Sequence, residues 1–110
     1  MKCINETVTI GHGNEYEVLM TISNRPWTIY VNRSGNKTMG SYVFSINDPS
    51  GDGVFSTTLY SGGDEDMVRS ICQILVKKFK HPVYLNISGS VNSTENLDFI
   101  RTLSNMIRSI

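Results

Sequence analysis

The stretch VFSTTLYSGGDEDMVRSICQILVKKFKHPVYLNI, residues 54–87, changes its hydrophobic period twice. Val54 to Tyr60 reads as a strand rich in β-branched and aromatic residues. Ser61-Gly62-Gly63-Asp64 stops it and offers Asp64 as a helix cap. Asp64, Glu65 and Asp66 set negative charge where a helix dipole favours it. Val68, Ile71, Cys72, Leu75 and Phe79 then recur at helical spacing, with Met67 and Ile74 flanking. Lys77, Lys78 and Lys80 close the helix and Pro82 follows. Val83, Leu85 and Ile87 return to period two. A strand-helix-strand unit of this kind allows its two strands to run parallel through a right-handed crossover.

Outward from this unit the pattern is β-rich on one side and helical on the other. Thr7–Ile10 alternates, and Gly11-His12-Gly13-Asn14 has turn composition. Tyr16, Val18, Met20 and Ile22 fall at period two; Asn24-Arg25-Pro26 turns the chain; Trp27, Ile29 and Val31 share the next face. Residues 33–37 form a polar loop, and Tyr42, Phe44 and Ile46 alternate again. Asn47 to Gly53 combines Pro, Gly and Asp, each favouring turns for its own reason. Toward the end, Asn92 to Glu95 resembles a capping box, followed by Leu97, Ile100, Leu103, Met106, Ile107 and Ile110 at helical spacing. The order is β-β-β-β-β-α-β-α. Strands bunched before helices argue for an α+β fold, a single largely antiparallel six-stranded sheet with two amphipathic helices on one face. No linker or repeat divides the chain, so residues 1–110 form one domain.

Ten basic residues balance ten acidic ones, apolar residues make up 39% and charged residues 18%. A neutral chain lacks the basic face that supplies most nucleic-acid affinity, and the one dense cluster, Lys77-Lys78-Phe79-Lys80-His81, reads as a solvated helix C-terminus. No stretch approaches the roughly 18 apolar residues of a membrane span. The opening Met-Lys-Cys-Ile-Asn-Glu lacks the apolar run of a signal peptide. Cytosol or nucleus is therefore the expected compartment, and the Asn-x-Ser/Thr triplets at Asn5, Asn32, Asn36, Asn86 and Asn92 reflect composition.

Chemistry is sparse. His12 sits between glycines and His81 beside a proline. Cys72 lies on an apolar helix stripe, where cysteine behaves as a small hydrophobe, and Cys3 near the N-terminus. Nothing local assembles these into a nucleophilic site. Gly62-Gly63 precedes a helix N-terminus, but Asp64, Glu65 and Asp66 would repel a phosphate. Asp48, Asp52 and the same three acids lack calcium-loop spacing. No catalytic, cofactor or metal residue is expected.

The sheet faces are more informative. The apolar face comprises Val8, Ile10, Val18, Met20, Ile22, Trp27, Ile29, Val31, Tyr42, Phe44, Ile46, Phe55, Leu59, Val83, Leu85 and Ile87, enough for two helices to cover. Alternation then dictates the other face: Leu19, Thr21, Thr28, Tyr30, Val43, Ser45, Thr58, Tyr60, Tyr84 and Asn86. It has few charges, many Thr and three Tyr, and no helix remains to cover it. Interface cores are enriched in Tyr and depleted in Lys and Glu. The candidate partner-binding residues are Leu19, Thr21, Thr28, Tyr30, Val43, Thr58, Tyr60 and Tyr84.

Phe55-Ser56-Thr57-Thr58-Leu59-Tyr60-Ser61-Gly62, the helix ending Leu75-Val76-Lys77-Lys78-Phe79, and Lys80-His81-Pro82-Val83-Tyr84-Leu85-Asn86-Ile87 together resemble the proteasome assembly chaperone 4 family over residues 54–110. The related chaperone 3 family shares the architecture. The resemblance implies a non-enzymatic subunit that pairs with a sister chaperone as a heterodimer. It also implies binding to an alpha-type subunit of the 20S proteasome, alpha-5 in particular, during assembly of the alpha ring. From another class, a longin- or roadblock-like dimerising scaffold of trafficking or signalling has similar architecture.

Overall fold

A computed structural model describes residues 1–11, 13–89 and 93–110. Its elements are β1 (Lys2–Ile10), β2 (Asn14–Ile22), β3 (Trp27–Arg33), β4 (Tyr42–Asn47), β5 (Val54–Tyr60), α1 (Glu65–Phe79), β6 (Val83–Ser88), a 3-10 turn at Ser93–Glu95 and α2 (Asn96–Arg108). The sheet order is β1-β2-β3-β6-β4-β5. Every pairing is antiparallel except β3 with β6. This is the α+β sheet with two helices on one face that the periodicity predicts. β1 begins at Lys2 rather than Thr7, because paired backbone, not apolar alternation, holds its first half against β2.

The crossover is more elaborate than two adjacent parallel strands. β4 is antiparallel to both β5 and β6, so β5 and β6 run the same way with β4 between them. α1 therefore arches over β4. The partner of β6 in parallel pairing is β3, from Trp27 opposite Val83 to Asn32 opposite Ser88. Side chains on the helix-covered side meet in one core: Tyr16, Val18 and Met20 of β2, Ile29 and Val31 of β3, Leu85 and Ile87 of β6, Val68, Ile71 and Leu75 of α1, Phe99 and Leu103 of α2. Tyr16 meets Phe99 edge-on with ring centroids 5.1 Å apart.

Both helices depart from their expected details. Asp64 holds the cap position of α1, yet its side chain makes no capping bond and its backbone is left-handed, φ 51°. At the other end Lys80 occupies the left-handed position (φ 54°) that closes the helix, its N–H donating to the Val76 carbonyl. On α2 the buried face is Phe99, Leu103, Met106 and Ile107, while Leu97 is 71% exposed. Helical spacing groups Leu97 with the apolar stripe, but Phe99 is the larger residue and takes the place against Tyr16. Asn92, the expected cap, lies outside the described residues.

Two outcomes test this description. Glycine lacks the Cβ that disfavours a left-handed backbone, so Lys80→Gly should raise stability in urea by roughly 0.5–1 kcal/mol. Cys72 is wholly buried and Cys3 exposed, so Ellman's reagent should titrate the Cys3 thiol in the native protein and both thiols in denaturant. Burial pushes the Cys72 thiol up from 9.0 to about 11, opposed in part by Ser45. A raised thiol pKa means the native state keeps a proton that the unfolded chain loses. Stability should thus be intact below pH 9, fall as pH rises toward 11, and fall less steeply in Cys72→Ala.

Candidate functional site: an open aromatic sheet face

The expectation about the two faces holds for β2, β3 and β6 and reverses at β4 and β5. Val43 is 0% exposed and Ser45 is buried, both under α1, while Tyr42, Phe44 and Ile46 lie on the helix-free side. The cause is space. The Cys72 sulfur of α1 lies 3.5 Å from the Val83 carbonyl oxygen and 3.9 Å from that of Val43. A helix that close to the sheet leaves room for Val and Ser, not for Tyr and Phe. Ser45 can be buried because its hydroxyl meets that of Ser56 at 2.7 Å.

β5 follows through its register, Ser45 opposite Ser56 and Phe44 opposite Thr57. Ser56 and Thr58 face α1, where Gln73 and Arg69 donate hydrogen bonds to their hydroxyls. Phe55 and Leu59, expected in the core, are 61% and 50% exposed. Of the eight candidate residues, Leu19, Thr21, Thr28, Tyr30, Tyr60 and Tyr84 lie on the open face. Val43 and Thr58 do not: they lie on the helix side. Tyr42, Phe44, Ile46, Phe55 and Leu59 take their place. Under a close helix the smaller alternating set, Val and Ser, packs inward, but the closeness of α1 is not written in the strand's own pattern.

Strand pairing arranges the open face in rows. One runs Leu19, Tyr30, Asn86, Tyr42, Tyr60; the next runs Thr21, Thr28, Tyr84, Phe44, Thr57. The face is thus polar toward β1 and aromatic toward β5. Phe44 stacks on Tyr84 at 4.3 Å and 26°, and Tyr42 lies 5.9 Å from both Tyr84 and Tyr30. The Tyr30 and Tyr42 hydroxyls are 3.3 Å apart. Burial, then the hydrogen bond with Tyr30 and the nearness of Tyr84, hold the Tyr42 phenol well above its ordinary range. This part of the face stays uncharged.

The β3–β4 connection closes one end of it. Asn86, 6% exposed, donates from Nδ2 to the carbonyls of Gly40 (2.9 Å) and Ser41 (3.0 Å), and its Oδ1 accepts from the Ser88 hydroxyl. The same hydroxyl oxygen accepts the Gly40 N–H at 2.8 Å. A Cβ on Gly40 would overlap the Ile87 carbonyl, so the strap lies flat on β6 and leaves Tyr84, Phe44 and Phe55 uncovered.

Other candidates are used structurally. His81 stacks on Trp27 at 4.5 Å and bonds the Arg25 carbonyl through Nε2; His12 lies outside the described residues. The raised Cys72 thiol is far from the thiolate that nucleophilic chemistry needs. Asp48 is held below its usual range by hydrogen bonds from the Ser50 hydroxyl and N–H. Among the described residues no cluster of His, Cys, Asp and Glu is placed to hold a metal ion, and no helix is long and apolar enough to cross a membrane.

The face assignment makes a sharp contrast. Phe44→Glu should leave the chain folded, because the new carboxylate reaches water. Val43→Glu one residue earlier should prevent folding, since it buries an unpaired charge beneath α1. Circular dichroism and thermal melts of the two variants check this.

A profile described as 20S proteasome chaperone assembly proteins 3 and 4 matches residues 5–108. Curated proteins gave no match. A crystallised yeast chain from a chaperone complex for 20S proteasome assembly superposes with a TM-score of 0.76 at 18% identity, covering 99% of this chain and 98% of that one. Such a likeness speaks to the fold; the profile, spanning nearly the whole sequence, speaks to descent. The chain belongs to the family of 20S proteasome chaperone assembly proteins 3 and 4.

Proposed function

We propose that this chain is a non-enzymatic chaperone subunit of 20S proteasome assembly, of the type 4 branch, that pairs with a type 3 sister through its open sheet face. Family membership supports the chaperone role. The resemblance of residues 54–110 supports the branch. The observation that carries the pairing is the cluster of Tyr84, Phe44 and Tyr42, contiguous with exposed Phe55, Leu59 and Tyr60. An uncharged aromatic surface of this kind is the usual core of a protein interface.

The pair would hold an alpha-type subunit, of the alpha-5 type, while the alpha ring forms in the cytosol or nucleus. Chaperoning then works by templating: contacts offered by a correctly placed subunit favour the right neighbour, and no covalent step is needed. A longin- or roadblock-like scaffold lacks support from the family profile.

Co-expression with type 3 and with type 4 relatives, followed by affinity purification and mass spectrometry, tests the reading. Recovery of a type 3 relative and an alpha-type subunit is expected, and recovery of neither sinks it. Tyr84→Glu and Phe44→Glu should each abolish co-purification of the sister, at a cost of a few kcal/mol in pairing, while the isolated chain stays folded. Unchanged pairing would remove the face from the interface.

A further inference from the structure

β5 ends the sheet, with β4 its one strand neighbour. Its sequence, Val54–Tyr60, carries neither charge nor proline, two of the devices that blunt an exposed edge, and the one irregularity in its pairing with β4 lies near its end, where Leu59 is the extra residue. β1, at the opposite edge, carries Lys2 and Glu6. Beside the β5 edge, α1 presents Asp66, Ser70, Ile74 and Lys77 at helical spacing. Ser70, Gln73, Ile74 and Lys77 line, with Val54, a groove of about 210 Å³, and Ile74 is left exposed. This stripe starts acidic and ends basic.

The orientation of the stripe is fixed by two hydrogen bonds. Arg69 donates to Thr58 and Gln73 to Ser56, so α1 runs against β5. Lys77 accordingly lies toward Val54, and Asp66 toward the Tyr60 end. We propose that the edge is a docking site for a second copy of this chain. β5 pairs antiparallel with β5 of the copy over its regular part about a two-fold axis at Thr57, bringing the Val54 end of each strand beside the Tyr60 end of the other. The same axis turns α1 against α1, so Lys77 of each copy faces Asp66 of the other.

The spacing suits such a contact. α1 packs most closely over β4, so about three strand spacings, or roughly 14 Å, separate the two helix axes. Lys and Asp side chains reach across that gap, and the Ile74 and Ser70 side chains of both copies fill the facing grooves. The interface is isologous and closes on itself. It uses the backbone edge and the α1 flank, not the aromatic face, and so stands apart from pairing with a sister chain.

Sedimentation equilibrium of the full chain alone tests it. A concentration-dependent dimer is expected. Lys77→Asp should weaken it about tenfold by turning two attractions into repulsions, and so should Asp66→Lys. The double variant should recover the original affinity. Both swaps oppose the helix dipole, so an effect arising from a weakened helix would be greatest in the double variant; thermal melts report that cost separately. Ile74→Lys should also weaken the dimer, while Tyr84→Glu should leave it unchanged. A chain that stays monomeric, or a dimer that responds to Tyr84→Glu and not to the charge swap, overturns the proposal.

Discussion

The close seat of α1 on β4 governs the rest of the structure. Cys72 brings its sulfur within van der Waals reach of the Val83 and Val43 carbonyls, and the layer between helix and sheet is then too thin for an aromatic ring. Val43 and Ser45 fill it. Because a strand offers alternate faces, this choice sends Tyr42, Phe44 and Ile46 to the other side. The pairing of β4 with β5 carries the choice one strand further, and Phe55 and Leu59 follow. A packing constraint on one side of the sheet thus builds the surface on the other.

The topology adds a second constraint. Since β6 enters between β3 and β4, the connection from β3 must pass the end of β6, and its backbone carbonyls need partners there. Asn86 supplies two donors to Gly40 and Ser41, and Ser88 both gives and takes a hydrogen bond. Leaving such buried groups unpaired would cost about 1–3 kcal/mol each. The network fixes where the strap stops, and hence where the open face begins.

Much of this was legible in the sequence. The period changes at residues 61–64 and 82–83 mark α1 and β6, and alternation marks β2 and β3 with the correct side inward. Alternation fails at β4, where Tyr42, Phe44 and Ile46 face one way and Val43 and Ser45 the other, because the choice depends on how near α1 comes. That distance is a tertiary property, and ranking by hydrophobicity put Tyr42 and Phe44 inside because they are the greasier set. On α2 helical spacing puts Leu97 on the apolar stripe and passes over Phe99, whereas the edge-on contact of Phe99 with Tyr16 sets the rotation of the helix. The Asn86 network was invisible because its partners are backbone atoms some forty-five residues away in sequence.

The open face also answers a problem of solubility. An uncovered aromatic surface invites nonspecific association, yet this one is internally arranged. Phe44 lies against Tyr84, and the Tyr30 and Tyr42 hydroxyls meet each other at the water boundary. Each ring therefore already has neighbours in the free chain, and the phenols offer hydrogen bonds to solvent. Rings held this way lose little rotamer freedom when another surface covers them, which lowers the entropic cost of association. A Lys or Glu in the same rows would give solubility by charge, but would have to be desolvated on contact. Hydroxyl-bearing aromatics serve both states.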